Sequence, residues 1–166
     1  MLFRSGAGAI RYFWTADDGS GPRMISGATS ASLTLTEALV GKMIRAHAEY
    51  TDLVGTTGTV ASAPTAAIAN LNNRPGGRIT ISGSPVLDAT LTATNGLRDE
   101  DGIPAAGSAG APGWQWYADG QAIAGANSAS FKVLAAYAGK SITAGISYTD
   151  LRGTTESVIS APAGSD

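Results

Sequence analysis

The densest group of metal-capable side chains in the sequence is Asp99-Glu100-Asp101, three consecutive carboxylates followed by Gly102. Carboxylate oxygens suit a hard cation such as Ca²⁺, which takes about six to eight oxygen ligands. The spacing is not that of an EF-hand loop, so the pattern carries two readings, a cation site and a solvated acidic turn. Other chemistry is thinly represented. His47 is the only histidine and alternates with Arg45 and Glu49, which marks a surface position. No serine stands in a nucleophile-elbow pattern, and no phosphate loop or dinucleotide fingerprint occurs. There is no cysteine to act as a nucleophile, a thiolate ligand or half of a disulfide. Lys42 and Lys140 each follow a glycine at matching places; an isopeptide with an Asn is conceivable, but turn lysines are expected. With no catalytic set and no catalytic residue to name, the expectation is a protein that is not an enzyme.

Bulk properties exclude further classes. A net charge of −2 with 14% charged residues leaves no basic stripe for a phosphate backbone, so no nucleic-acid partner is expected. No apolar run approaches about 18 residues, so no membrane-spanning segment is expected. Aromatics are 7% of the chain against 43% hydrophobic, which predicts thin cores built on a few large side chains. Met1 to Ser5 is too short and wrongly built for a secretory signal.

The elements that must position these residues are written twice. Ile25 to Pro64 lies over Ile123 to Pro162 at a constant offset of 98, with 22 identities in 40 positions and no gap. The match pairs GATSAS with GANSAS, YTDLVGTT with YTDLRGTT, and VASAP with VISAP. A period near 98 in 166 residues implies two units of sandwich size.

In chain order, Tyr12 and Trp14 share one face of a strand, with Arg11 and Phe13 on the other. A turn-rich loop from Thr15 to Arg23 follows, and Trp14 matches Trp116 at an offset of 102. Leu33 and Leu35 alternate with Thr34 and Thr36, which predicts a short strand. Glu37 to Lys42 turns the chain. Ile44, Ala46, Ala48 and Tyr50 alternate with Arg45, His47 and Glu49, the clearest strand of all. YTDLVGTTG is a hairpin loop, with a return strand expected over Thr59 to Ile68. Asn70 to Gly77 is polar and turn-forming, a linker. Two further strands are expected around Ile79 and Ile81 and over Leu87 to Leu97. Later strands carry Trp114 and Trp116, Phe131 and Val133, then Ile142, Ala144, Ile146 and Tyr148, and last Ser157 to Ile159. No sustained helical stripe appears, and Leu134 to Gly139 allows at most one turn. Trp14 and Trp116 are expected in the core, Tyr12 and Trp114 partly buried, and Phe13, Gln115 and Tyr117 outside. An outward aromatic of this kind could stack on a sugar, so a glycan is a possible partner.

The succession ITISG, a Pro turn, LTATN, DEDG, W-x-W-x-A-D-G, I-x-G-A, GK and YTD-x-x-GT-x-E-S resembles the immunoglobulin-like, cadherin-like tandem repeats of large bacterial surface and secreted proteins, including RTX-type adhesins. The resemblance covers Asn70 to Pro162 fully and Tyr12 to Ile68 in part. It implies an all-β protein of two tandem immunoglobulin-like antiparallel β-sandwiches, the first lacking its two N-terminal strands. The expected organisation is an incomplete repeat over 1–69, a linker over 70–77 and a complete repeat over 78–166. In that topology the loops after the second and sixth strands share one end, which would bring Asp150, Glu156, Asn72 and Asn73 to Asp99, Glu100 and Asp101. Similar repeats stiffen their junctions with Ca²⁺, so the implied metal set is Asp99, Glu100, Asp101, Asp150 and Asn72, with Ca²⁺ as the cofactor.

The resemblance implies an extracellular, cell-surface spacer or adhesion module of a bacterium. A self-assembling filament subunit and a carbohydrate-binding accessory module are the alternatives. A sandwich short of two strands exposes apolar faces and unpaired edges. The expected explanation is excision from a longer array, where neighbouring repeats are the partners. The competing one is strand addition from another copy of the chain.

Overall fold

The computed structural model describes residues 7–164, so the reading of Met1 to Ser5 lies outside the described residues. Strand covers 40% of the chain and helix 4%, an all-β protein with several antiparallel sheets, consistent with a β-sandwich. The chain divides into two compact units, Met1–Leu71 and Asn72–Asp166.

Unit 1 is one four-stranded antiparallel sheet of β1 (Ala7–Asp17), β2 (Arg23–Met24), β3 (Met43–Asp52) and β4 (Thr57–Ala61), in the order β2-β1-β3-β4. Period-two alternation puts Tyr12 opposite Ala48, Trp14 opposite Ala46 and Ala16 opposite Ile44 on one face. The core of this unit is small: Ala16, Leu39 and Ile44 are buried, with Trp14, Ile25, Leu33 and Ile68 packed around them. Leu39 is delivered by a single 3₁₀ turn, Glu37–Leu39.

Unit 2 has two sheets. One joins β7 (Gly113–Ala118), β8 (Gln121–Ala122), β10 (Ile142–Thr149) and β11 (Thr155–Ile159) in the order β11-β10-β7-β8. The other joins β5 (Ile79–Ser82), β6 (Thr90–Asn95) and β9 (Ser130–Lys132) in the order β5-β6-β9. Their inner faces supply one core of twelve buried residues, among them Ile79, Leu91, Trp116, Phe131, Val133, Ile142, Ile146 and Tyr148. Each fully buried aliphatic side chain contributes roughly 1.5–3 kcal/mol. The Trp116 and Phe131 rings stack across the sheets with centroids 5.4 Å apart. Between β7 and β8 the chain reverses through Asp119 and Gly120, both at positive φ (49° and 77°), the Asp-Gly pair that a two-residue hairpin of the strand-matching twist requires.

Three expected strands are corrected. Leu33 to Thr36 forms no strand. Its counterpart β9 exists because Leu91 and Thr92 of β6 pair with Phe131 and Ser130, and the described residues of unit 1 offer no such neighbour. The return strand ends at Ala61 rather than Ile68. There Ala46 donates its N–H to Ser62 Oγ in place of a ladder carbonyl, and Pro64 can donate nothing. The strand expected from Leu87 begins at Thr90, because Val86 to Ala89 is a tight turn with Asp88 at φ 61°.

Candidate functional site

The carboxylate cluster lies in the loop that follows β6, and its local geometry is set by side-chain capping. Asp99 Oδ1 accepts the Asp101 N–H at 2.9 Å, and Gly102 N–H returns to the Asp99 carbonyl at 3.2 Å. This loop meets the β10–β11 hairpin through the Leu151 N–H on the Gly102 carbonyl, 3.1 Å, and the Thr149 N–H on Gly110, 3.0 Å. The remaining carboxylates fasten the first residues of unit 2. Asn73 gives its backbone N–H to Asp101 Oδ2 at 2.6 Å and its side-chain amide to Glu100 at 3.1 Å. Asn72 gives its side-chain amide to Glu156 at 2.8 Å, and Gly76 exchanges both backbone bonds with Arg98.

Asp150 does local work. Its Oδ1 accepts the Arg152 and Thr154 N–H groups, each at 2.8 Å, and thereby closes the hairpin loop. Asp52 does the same in unit 1 for Val54 and Thr56, at 3.0 and 2.8 Å. Gly55 and Gly153, at φ 87° and 93°, supply the left-handed turn that both loops need. The YTDL-x-GTT motif is thus a hairpin closure used twice.

Two oxygens of the cluster stay unpartnered: Asp101 Oδ1 and Asp150 Oδ2, on side chains only 2% and 4% exposed. Among the described residues no group of three or more His, Asp or Glu side chains converges as metal ligands. The Tyr148 hydroxyl, on β10, donates to Asp99 Oδ2 at 2.5 Å. Burial first, and then that hydrogen bond, push the phenol well above its ordinary pKa of about 10.

The aromatic positions divide. Trp116 is fully buried and Trp14 half-buried. Each indole N–H reaches the carbonyl of a matching serine, Trp14 to Ser30 at 2.9 Å and Trp116 to Ser128 at 2.8 Å. Trp114 is half-buried, but Tyr12 is exposed, because none of the described residues of unit 1 covers the end of the sheet where it stands. Phe13, Gln115 and Tyr117, expected outside, are half-buried. One face of Phe13 is taken by His47, stacked 4.4 Å away, and His47 also bonds Thr15 at 2.9 Å. Gln115 donates to the carbonyls of Trp116 and Ile123. Lys140 makes a long exposed pair with Asp119 at 3.9 Å.

Sequence reasoning brought Asn72 and Asn73 to the acidic loop but missed that Asn73 hydrogen-bonds directly to Asp101 and Glu100, and it missed the bond from Tyr148 to Asp99. It also missed Ser62 and Ser160, whose hydroxyls accept Ala46 and Ala144 at 3.1 and 3.0 Å. The identity of both serines across the repeat was the available signal.

No protein-family model, no curated protein and no solved structure matches this chain. Among the described residues no helix is long and apolar enough to cross a membrane.

Proposed function

We propose that the chain is a non-enzymatic extracellular module, a spacer or adhesion segment of a large bacterial surface or secreted protein, built from tandem immunoglobulin-like repeats. One observation carries this reading. Three hydrogen-bond devices recur in both units: the indole on a serine carbonyl, the aspartate closing its hairpin loop, and the serine hydroxyl ending the last strand. A fold that spends the same turn and packing chemistry twice on building itself suits a structural role. The test is antibody labelling of intact and permeabilised source cells. Labelling of intact cells is expected, and signal only after permeabilisation would overturn the extracellular reading. A glycan array separates the carbohydrate-binding alternative, for which selective, saturable binding is required.

A second reading concerns Ca²⁺, favoured by the two buried, unpartnered oxygens of Asp101 and Asp150. These would be the ligating atoms, and the ion would neutralise carboxylates that burial otherwise penalises. A melting midpoint of unit 2 that is higher in Ca²⁺ than in chelator is expected, and equal midpoints would dispose of the site.

A further inference from the structure

Unit 1 and unit 2 carry the same sheet face, but among the described residues only those of unit 2 cover it. In unit 2 the face of Trp116, Ala144, Ile146 and Tyr148 is roofed by β5, β6 and β9. In unit 1 the matching face of Trp14, Ala46, Ala48 and Tyr50 continues into Ile10, Tyr12 and Val60, all exposed. A second difference is in the backbone. Segment 129–133 bonds to β6 and its flank: Ala93 N–H reaches Ala129, Val133 N–H reaches Ala89, and Asp88 N–H reaches Val133. Among the described residues no backbone hydrogen bond reaches the matching segment 31–35, although Leu33 and Leu35 keep the alternation of Phe131 and Val133.

We propose that this open face and the free edge at 31–35 together form an acceptor for a two-stranded β-hairpin that lies outside residues 1–166. The donor has apolar residues at alternate positions, in the pattern of Ile79-x-Ile81 and Leu91-x-Ala93. Its second strand pairs with Ser32 to Thr34 as β6 pairs with β9, and its apolar face closes over Tyr12, Trp14 and Ala48. Unit 2 is the template, since it shows what covers this face and in which register. A second copy of the chain is the poorer occupant. Face-to-face docking leaves 31–35 unpaired, and lending its own β5–β6 hairpin would strip the core of its own unit 2. The proposal goes beyond the spacer reading and does not rest on an extracellular location.

The probe is a synthetic peptide of residues 78–97, which carries β5 and β6 in order, added to the full chain. The control peptide exchanges each inward residue with the one after it, which turns the apolar face outward. Expected are saturable binding of one peptide per chain and slowed amide exchange at 31–35. Leu35→Asp and Val60→Lys, at side chains 53% and 61% exposed without donor, should each weaken binding at least about tenfold and leave the melting of the free chain unchanged. The proposal is overturned by unprotected amides at 31–35, by protection confined to 129–133, or by equal binding of the control. A concentration-dependent dimer that the peptide fails to dissociate would assign the face to a second copy instead.

Discussion

β3 and β10 hold the same place in two sheets, and their inward residues meet different fates. Ile142, Ala144, Ile146 and Tyr148 are all at or below 3% exposure, whereas the matching series in unit 1 opens from 2% at Ile44 to 37% at Tyr50. The ladders are alike: β1 with β3 and β7 with β10 pair antiparallel, with Trp14 opposite Ala46 and Trp116 opposite Ala144. The hairpin closures and strand ends are also alike. What differs is everything that depends on a second sheet. Turn chemistry and strand pairing are therefore encoded locally in this repeat, while burial and the strand β9 depend on a partner layer.

The sharpest way to break this comparison is to truncate the two tryptophans. Trp116→Ala empties a fully enclosed site and should cost about 3–5 kcal/mol. Trp14→Ala, at a half-buried ring, should cost less than half as much. Denaturant unfolding followed by the fluorescence of the remaining tryptophans measures both, and equal losses would mean that the unit 1 face is covered in solution.

The hairpin closures test the similarity instead. Asp52→Ala and Asp150→Ala each strip two N–H groups of their acceptor, and each should cost about 1–2 kcal/mol. Asp150→Asn keeps an accepting oxygen and removes the charge from an unpartnered buried atom, so it should cost clearly less than Asp150→Ala in a chelator-containing buffer. A large loss from the Asn variant would show that the charge itself holds the loop.

Alkaline titration distinguishes the units by one phenol. Tyr148 has its pKa raised on folding, so the unfolded chain releases that proton first as pH climbs. Its contribution is fully present below about pH 10 and is lost above it, as the pH rises toward the folded-state value. Melting of unit 2 should fall over that range, and Tyr148→Phe should flatten the fall. An unchanged alkaline slope in the variant would remove Tyr148 from the account. The smallest effect belongs to Lys132 and Asp88, an exposed pair 2.8 Å apart on the sheet that unit 1 lacks. Lys132→Ala should cost under about 1 kcal/mol, and more than that would mark the pair as part of the sheet edge.

The two-unit plan, the strand from Ile44 to Tyr50 and the inward place of Trp116 were legible because each rests on a local period or an internal identity. Leu33 to Thr36 was misread since its alternation is real but its neighbour is absent. Strand ends at Ala61 and Thr90 escaped because a serine hydroxyl and a left-handed Asp88 decide them, and neither shows in hydrophobic periodicity. The acidic loop was recognised as a place where carboxylates gather. That Asp101 and Glu100 hold Asn73, and Asp99 holds Tyr148, depends on contacts 28, 27 and 49 residues apart, which composition does not reveal.

The carboxylate clamp also determines how unit 2 would respond to tension. A pull arriving through Asn72 loads the amide of Asn72 on Glu156 first, then the two bonds of Asn73, then the Gly76–Arg98 bridge, one after another rather than side by side. Bonds loaded in series yield singly at low force, so the leading residues would peel away before the two sheets of unit 2 bear strain.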